Sequence, residues 1–156
     1  MKKIISFLIV FIGVIFLAGC FNSNEKVITR CTLENDQSSS GYVLNSNYSI
    51  YSTNGVVTSV RTKEVVTSDN NTILEYFKKT LNDEYTSASN TYGGYDFDVS
   101  IKDNTVVSTV TIDYNKMDLK KFISDNSSMK AYVNKDNKLT LEGAKKIYES
   151  FGATCK

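Results

Sequence analysis

Residues 42–67 read YVLNSNYSIYSTNGVVTSVRTKEVVT, twelve residues on either side of Asn54-Gly55. Asn-Gly is the preferred pair for a two-residue type I′ turn, because both positions need positive φ and the turn's twist matches that of the strands it joins. The flanks are rich in Tyr, Ile, Val, Thr and Ser, which suit a pleated, half-buried surface. The stretch therefore predicts a long β-hairpin. A two-residue turn sets Thr53 opposite Val56 and Tyr51 opposite Thr58, so that Tyr51, Val56, Thr58 and Val60 share a face.

Upstream, Val27–Glu34 alternates as a first strand with Val27, Thr29, Cys31 and Leu33 on one side, followed by a polar loop over Asn35–Gly41. Downstream, Ser68–Thr72 is a helix start, with Thr72 and Glu75 spaced for a capping box. Ile73, Phe77, Leu81, Tyr85 and Ala88 then recur at helical spacing, predicting one amphipathic helix of about four turns that Gly93-Gly94 ends. Asp96–Lys102 alternates Phe97, Val99 and Ile101, an Asp103-Asn104 turn follows, and Thr105–Tyr114 completes a second hairpin. A short helix over Met117–Ser124 buries Leu119, Phe122 and Ile123. Thr140 caps a last helix whose apolar positions are Leu141, Ala144, Ile147, Tyr148 and Phe151, and Gly152 is its C′ residue. The order β-β-β-α-β-β-α-α predicts an α+β fold, a two-layer sandwich of antiparallel sheet with helices packed on one face.

The first nineteen residues belong to a different kind of segment. Lys2 and Lys3 precede an apolar run of 14 residues, Ile4–Leu17, and Ala18, Gly19 and Cys20 follow. That length matches a signal h-region and falls short of the roughly 20 residues a membrane-spanning helix needs. Leu17-Ala18-Gly19-Cys20 resembles the lipobox of bacterial lipoproteins, in which the cysteine is acylated and becomes the mature N-terminus. The competing reading is an uncleaved N-terminal membrane helix with Cys20 incidental. The chain divides accordingly into a signal peptide (1–19), a lipidated tether (20–26) and one α+β domain (27–156). Fully extended, the tether spans about 20–25 Å, which holds the domain near the bilayer on the extracytoplasmic side.

Composition excludes several chemistries. Lys and Arg number 18 against 17 Asp and Glu; without Lys2 and Lys3 the balance is 16 against 17. A balance near neutrality gives no electrostatic footprint for nucleic acid and no polybasic aid to membrane binding. The chain has no histidine, which removes the commonest general base and the usual zinc and copper ligand. No metal site and no cofactor are expected. Residues 134–145 begin like a calcium loop with Asn134 and Asp136. Lys138 and Leu139 then occupy the fifth and sixth positions and Lys145 the twelfth, so a helix-capping turn is the better reading. With Cys20 committed to lipid, Cys31 and Cys155 remain; an even remainder in an exported protein points to a disulfide, the alternative being two separate thiols. Asp96, Asp98, Asp103 and Asp113 are the acids available for a paired-carboxylate site, although Asp96 and Asp98 also fit a solvated sheet face. Tyr48, Tyr51, Tyr92 and Tyr95 lie near expected turns, where aromatic rings can hold glycans or peptides as well as pack.

Val110–Lys121, Val-Thr-Ile-Asp-Tyr-Asn-Lys-Met-Asp-Leu-Lys-Lys, resembles the YehR-like family of small bacterial lipoproteins. The likeness extends more loosely from the lipobox to the closing helix. It implies a two-layer α/β sandwich and an envelope location, and implies no particular activity or catalytic residue. The expected function is therefore a membrane-anchored extracytoplasmic lipoprotein, attached through lipid on Cys20, that is not an enzyme. It binds an envelope protein, peptide or glycan, or serves as an accessory domain. A carboxylate-based hydrolase acting on cell-wall material is the alternative.

Overall fold

A computed structural model describes residues 26–156. The signal, the lipobox and Cys20 lie outside the described residues. Three 12-residue strands come first: β1 (Lys26–Gln37), β2 (Tyr42–Thr53) and β3 (Val56–Thr67). Then follow α1 (Asn71–Tyr92), β4 (Tyr95–Lys102), β5 (Thr105–Asp113), α2 (Leu119–Asp125), α3 (Leu141–Ser150) and the two-residue β6 (Thr154–Cys155). The strands form one sheet in the order β4-β5-β3-β2-β1-β6, with every neighbouring pair antiparallel. The expected α+β class and element order hold, with β6 and two 3-10 segments, Ser38–Ser40 and Ser127–Tyr132, in addition.

Several local expectations change. The loop expected over Asn35–Gly41 is largely strand, because β1 keeps pairing with β2 as far as Gln37 opposite Tyr42; the connection shrinks to the 3-10 turn and Gly41. The central hairpin turns where expected, with Asn54 and Gly55 at φ 52° and 73° and Thr53 opposite Val56. Its register then slips: Ser52 faces Val57 but Tyr51 faces Ser59, leaving Thr58 as an extra, bulged residue. The Thr58 hydroxyl donates to the Tyr51 carbonyl at 3.2 Å, and the Tyr114 amide donates to the Thr58 carbonyl at 3.0 Å. Val60 therefore lies on the opposite face from Tyr51, sharing its face with Ile50 and Ile112.

Helix α1 is 22 residues long, about six turns rather than four. Its N-cap is Asn70, whose side chain accepts from the Thr72 amide at 2.9 Å, so Thr72 lies inside the first turn and is not the cap. Ser68 makes this start fit the sheet: its hydroxyl donates to the Gly41 carbonyl at 2.6 Å and accepts from the Asn70 amide at 3.1 Å. At the other end Gly94, at φ 76°, turns the chain into β4. A Cβ there would sit 2.6 Å from the Asp113 carbonyl oxygen, so the close approach of β5 requires glycine. Helix α3 takes the cap expected of its sequence, Thr140 accepting from the Gly143 amide, whereas α2 begins at Leu119 rather than Met117 because Asp118 is its cap, accepting from the Lys121 amide.

The inner face of the sheet carries two apolar clusters. One, under α3, contains Cys31, Tyr48, Ile50, Val57, Val60, Leu139 and Ala144; the other, under α1, is built on Val66, Leu74 and Val106 with Phe77 and Leu81. The second face carries alternating polar side chains and is not covered by the helices, as a one-sided antiparallel sheet permits. Cys31 and Cys155 face each other in the ladder and are joined by a disulfide, with Cα atoms 4.0 Å apart.

Candidate functional site

Between the two apolar clusters the inner face turns polar. Cross-strand register aligns Ser46 of β2, Glu64 of β3 and Ser108 of β5 in one row, and Tyr48, Thr62 and Val110 in the next. A carboxyl in the middle of the helix-covered face is costly unless its oxygens find donors. Tyr85 of α1 supplies one, donating its hydroxyl to Glu64 Oε2 at 2.8 Å. Ser46 and Ser108 are each 1% exposed, and neither Oγ has a hydrogen-bond partner among the described residues. Thus one half-buried carboxyl lies between two buried hydroxyls, Ser108 beside Glu64 and Tyr85 and Ser46 beside Tyr48.

Aromatic rings close the row from above and from one side. Tyr48 stacks on Tyr148 of α3 with centroids 4.2 Å apart, and Tyr85 packs on Phe97 of β4 at 5.6 Å. Burial pushes the Glu64 carboxyl above its usual value, the Tyr85 hydroxyl and then the Ser108 hydroxyl oppose that shift, and the exposed Glu84 of α1 adds the weakest of the influences. Burial likewise pushes the hydroxyls of Tyr48, Tyr85 and Tyr148 upward. They remain neutral donors at any physiological pH. The carboxylate accepts the Tyr85 hydrogen bond, and as a proton carrier the row has a single carboxyl.

Replacing that carboxyl by its amide isolates the burial cost. Because the folded-state pKa of Glu64 is raised, the native protein binds the extra proton: the carboxyl costs nothing below its unfolded-state pKa, and destabilises increasingly as pH rises toward the folded value. Glu64→Gln keeps an acceptor for Tyr85 without the charge. It is expected to stabilise the domain by about 1 kcal/mol at pH 7, with the gain vanishing toward pH 4. Urea unfolding of both proteins between pH 4 and 8 measures this; a difference that stays constant across the range contradicts the assignment.

The acids singled out in the sequence do not converge here. Asp96 and Asp98 are exposed on the open face, opposite Thr111 and Thr109 and near Arg61. Asp103 is exposed in a turn, and Asp113 binds the Asn115 amide. Tyr92 and Tyr95 do flank a turn, but Tyr48 lies in mid-strand within the core, a correction that follows from the length of β2. Asn134 closes its own turn by accepting from the amides of Asp136 and Lys138, and no cluster of metal-ligating side chains occurs among the described residues. Glu64, Ser46, Ser108 and Tyr85 were not picked out as site residues by sequence reasoning. Their signal was a charged residue at an inward position of an alternating strand, Val60-Thr62-Glu64-Val66, together with the fourth member of the Ile73-Phe77-Leu81-Tyr85 series.

No protein-family model matches the chain, and no curated protein is significantly similar to it. Two solution structures are similar in fold. The YehR protein of Escherichia coli is 14% identical over 85% of this chain and 92% of its own, with a TM-score of 0.56. A protein from Streptococcus pneumoniae is 17% identical over 86% of this chain and 87% of its own, with a TM-score of 0.49. At such identity the likeness is one of architecture, and the chain has a YehR-like fold.

Proposed function

We propose that this chain is a YehR-like lipoprotein, held by lipid on Cys20 at the extracytoplasmic face of a bacterial membrane, whose domain binds an envelope ligand and does not catalyse. The anchor rests on the order Lys2-Lys3, Ile4–Leu17, Ala18-Gly19-Cys20. Two acyl chains, at about 0.8 kcal/mol per buried methylene, hold a protein stably where one does not. Growth with a labelled fatty acid is expected to label the wild type and not Cys20→Ser, which would be released from the membrane fraction. Labelling that survives the substitution would sink the anchor.

The observation that carries the binding reading is the single carboxyl of the Ser46–Glu64–Ser108 row. Hydrolysis of a glycosidic bond ordinarily needs two carboxyls about 5–9.5 Å apart. The acids first considered for such a pair lie in turns or on the other face. The half-buried Glu64 carboxylate, with the Tyr85 ring beside it, suits a ligand that offers N–H or O–H donors, such as a peptide or glycan. Titration of soluble cell-wall fragments and peptides into isotope-labelled protein is expected to shift the amides of residues 46, 64, 85 and 108 together. Shifts confined to other positions would remove this site, and turnover of a fragment would favour the hydrolase.

A further inference from the structure

Resting on the anchored reading above, we infer that the end of the sheet from which the chain runs back to Cys20 is a basic face that lies on an anionic phospholipid bilayer. This end is defined by Lys26, the Asn54-Gly55 turn, the 113–118 segment and the 133–140 turn. The last is fixed there by the Val57 amide donating to the Leu139 carbonyl at 2.9 Å and the Leu141 amide to the Gly55 carbonyl at 2.9 Å. Lys26 pairs with Thr53, and Lys138 lines a crevice of about 330 Å³ with Thr53, Asn54 and Leu119. Lys120 and Lys130 line a second crevice with Asn137 of the same turn, and Lys135 is exposed on it.

Charge is sorted along the strand axis. Lys26, Lys120, Lys130, Lys135 and Lys138 are exposed and make no ion pair among the described residues. Two further lysines at this end, Lys116 and Lys121, are neutralised by Asp113 and Asp125, which leaves Asp118 and Asp136 against five cations. The far end of the sheet carries Asp36, Asp69 and Asp103 with Lys102. Residues 26–156 hold 16 basic and 16 acidic side chains, so the basic end's excess of three is matched by an equal deficit elsewhere. Near-neutral composition thus conceals a dipole whose positive pole is on the anchor side. Only Cys20–Glu25 separates the lipid from Lys26, at most about 20 Å, and the field of surface phosphates extends about 8–10 Å. Lysines held in that layer are drawn to anionic lipid.

The test supplies the anchor chemically, so that its failure is separate from failure of Cys20 acylation in cells. The chain from Cys20 onward contains every described element, and with Cys31 and Cys155 bonded its free thiol is Cys20, which couples to a maleimide-headgroup lipid. The chain has no tryptophan, so Ser124→Trp reports on the basic end and Ser39→Trp on the far end. On vesicles of phosphatidylcholine with phosphatidylglycerol, quenching by a headgroup spin label is expected to be at least about threefold stronger at position 124 than at 39. That preference should collapse in 0.5 M salt, where the screening length is below about 5 Å. It should also collapse in Lys120→Glu/Lys130→Glu/Lys138→Glu and persist in Lys63→Glu/Lys102→Glu/Lys146→Glu. Equal quenching at both positions, the same preference on pure phosphatidylcholine, or its survival in the first triple variant would each overturn the inference. Binding to soluble polyphosphate without docking on the vesicles would overturn it in favour of an anionic polymer.

Discussion

Reducing the Cys31–Cys155 disulfide is expected to lower the stability of the domain by about 2–4 kcal/mol, a fall of roughly 10 °C in the unfolding midpoint for a chain of this size. The bridge closes a loop with a sequence separation of 124, for which chain entropy alone gives about 5 kcal/mol as an upper figure. Cys31 is fully buried in the cluster under α3, whereas Cys155 belongs to a strand of only two residues. That strand is continued by reciprocal backbone bonds between Arg30 and Lys156, at 3.0 and 2.8 Å. Two residues of ladder are too little to persist unaided, so reduction should release β6 first. Hydrogen exchange would show it as lost protection at Arg30 and Lys156 while the β2–β3 ladder stays protected. An unchanged midpoint together with two alkylatable thiols in the unreduced protein would mean the bridge is not formed.

Leu139→Ala is expected to cost about 3 kcal/mol, within the range for a buried leucine whose cavity only partly collapses. Leu139 is 1% exposed and packs in the cluster of Ile50, Val57, Val60 and Ala144. Its backbone also ties the 133–140 turn to β3, and the next residue, Thr140, caps α3. Loss of its side chain should therefore loosen the basic turn carrying Lys135 and Lys138 as well as lower overall stability. Denaturant titration gives the first effect and local exchange rates the second. Leu141→Ala, at a partly buried position, should cost less. A loss below 1 kcal/mol for Leu139→Ala would show that this turn does not close the core.

These two residues show how unevenly the fold could be read from the chain. Strands and helices with long periodic patterns were legible because the pattern is the physical cause: alternation in β4 and β5 buries one face, and the Ile73-Phe77-Leu81-Tyr85 spacing buries one stripe of α1. Leu139 was not legible as core. It is one apolar residue among Asn, Lys and Asp, and no period surrounds it; only its placement under the central hairpin buries it. The bulge at Thr58 was hidden for a similar reason, since one extra residue in a strand leaves no compositional mark and is stabilised by Tyr114, more than fifty positions away. Glu64 was missed as an inward-facing charge, and its meaning depends on Tyr85, Ser46 and Ser108 arriving from three other elements.

Sequence alone determined the α+β class, the central hairpin, the cap of the last helix and the expectation of an anchor at Cys20, because each is written in neighbouring residues. Tertiary structure decided what depends on distant ones. It paired Ser46, Glu64 and Ser108 by register, placed Asp96 and Asp98 on the far side of the sheet from them, and gathered five lysines at one end of a molecule whose charges cancel on paper. A sum over the sequence has no direction. Folding gives each charge a position, and that is why a chain of balanced composition acquires a basic end.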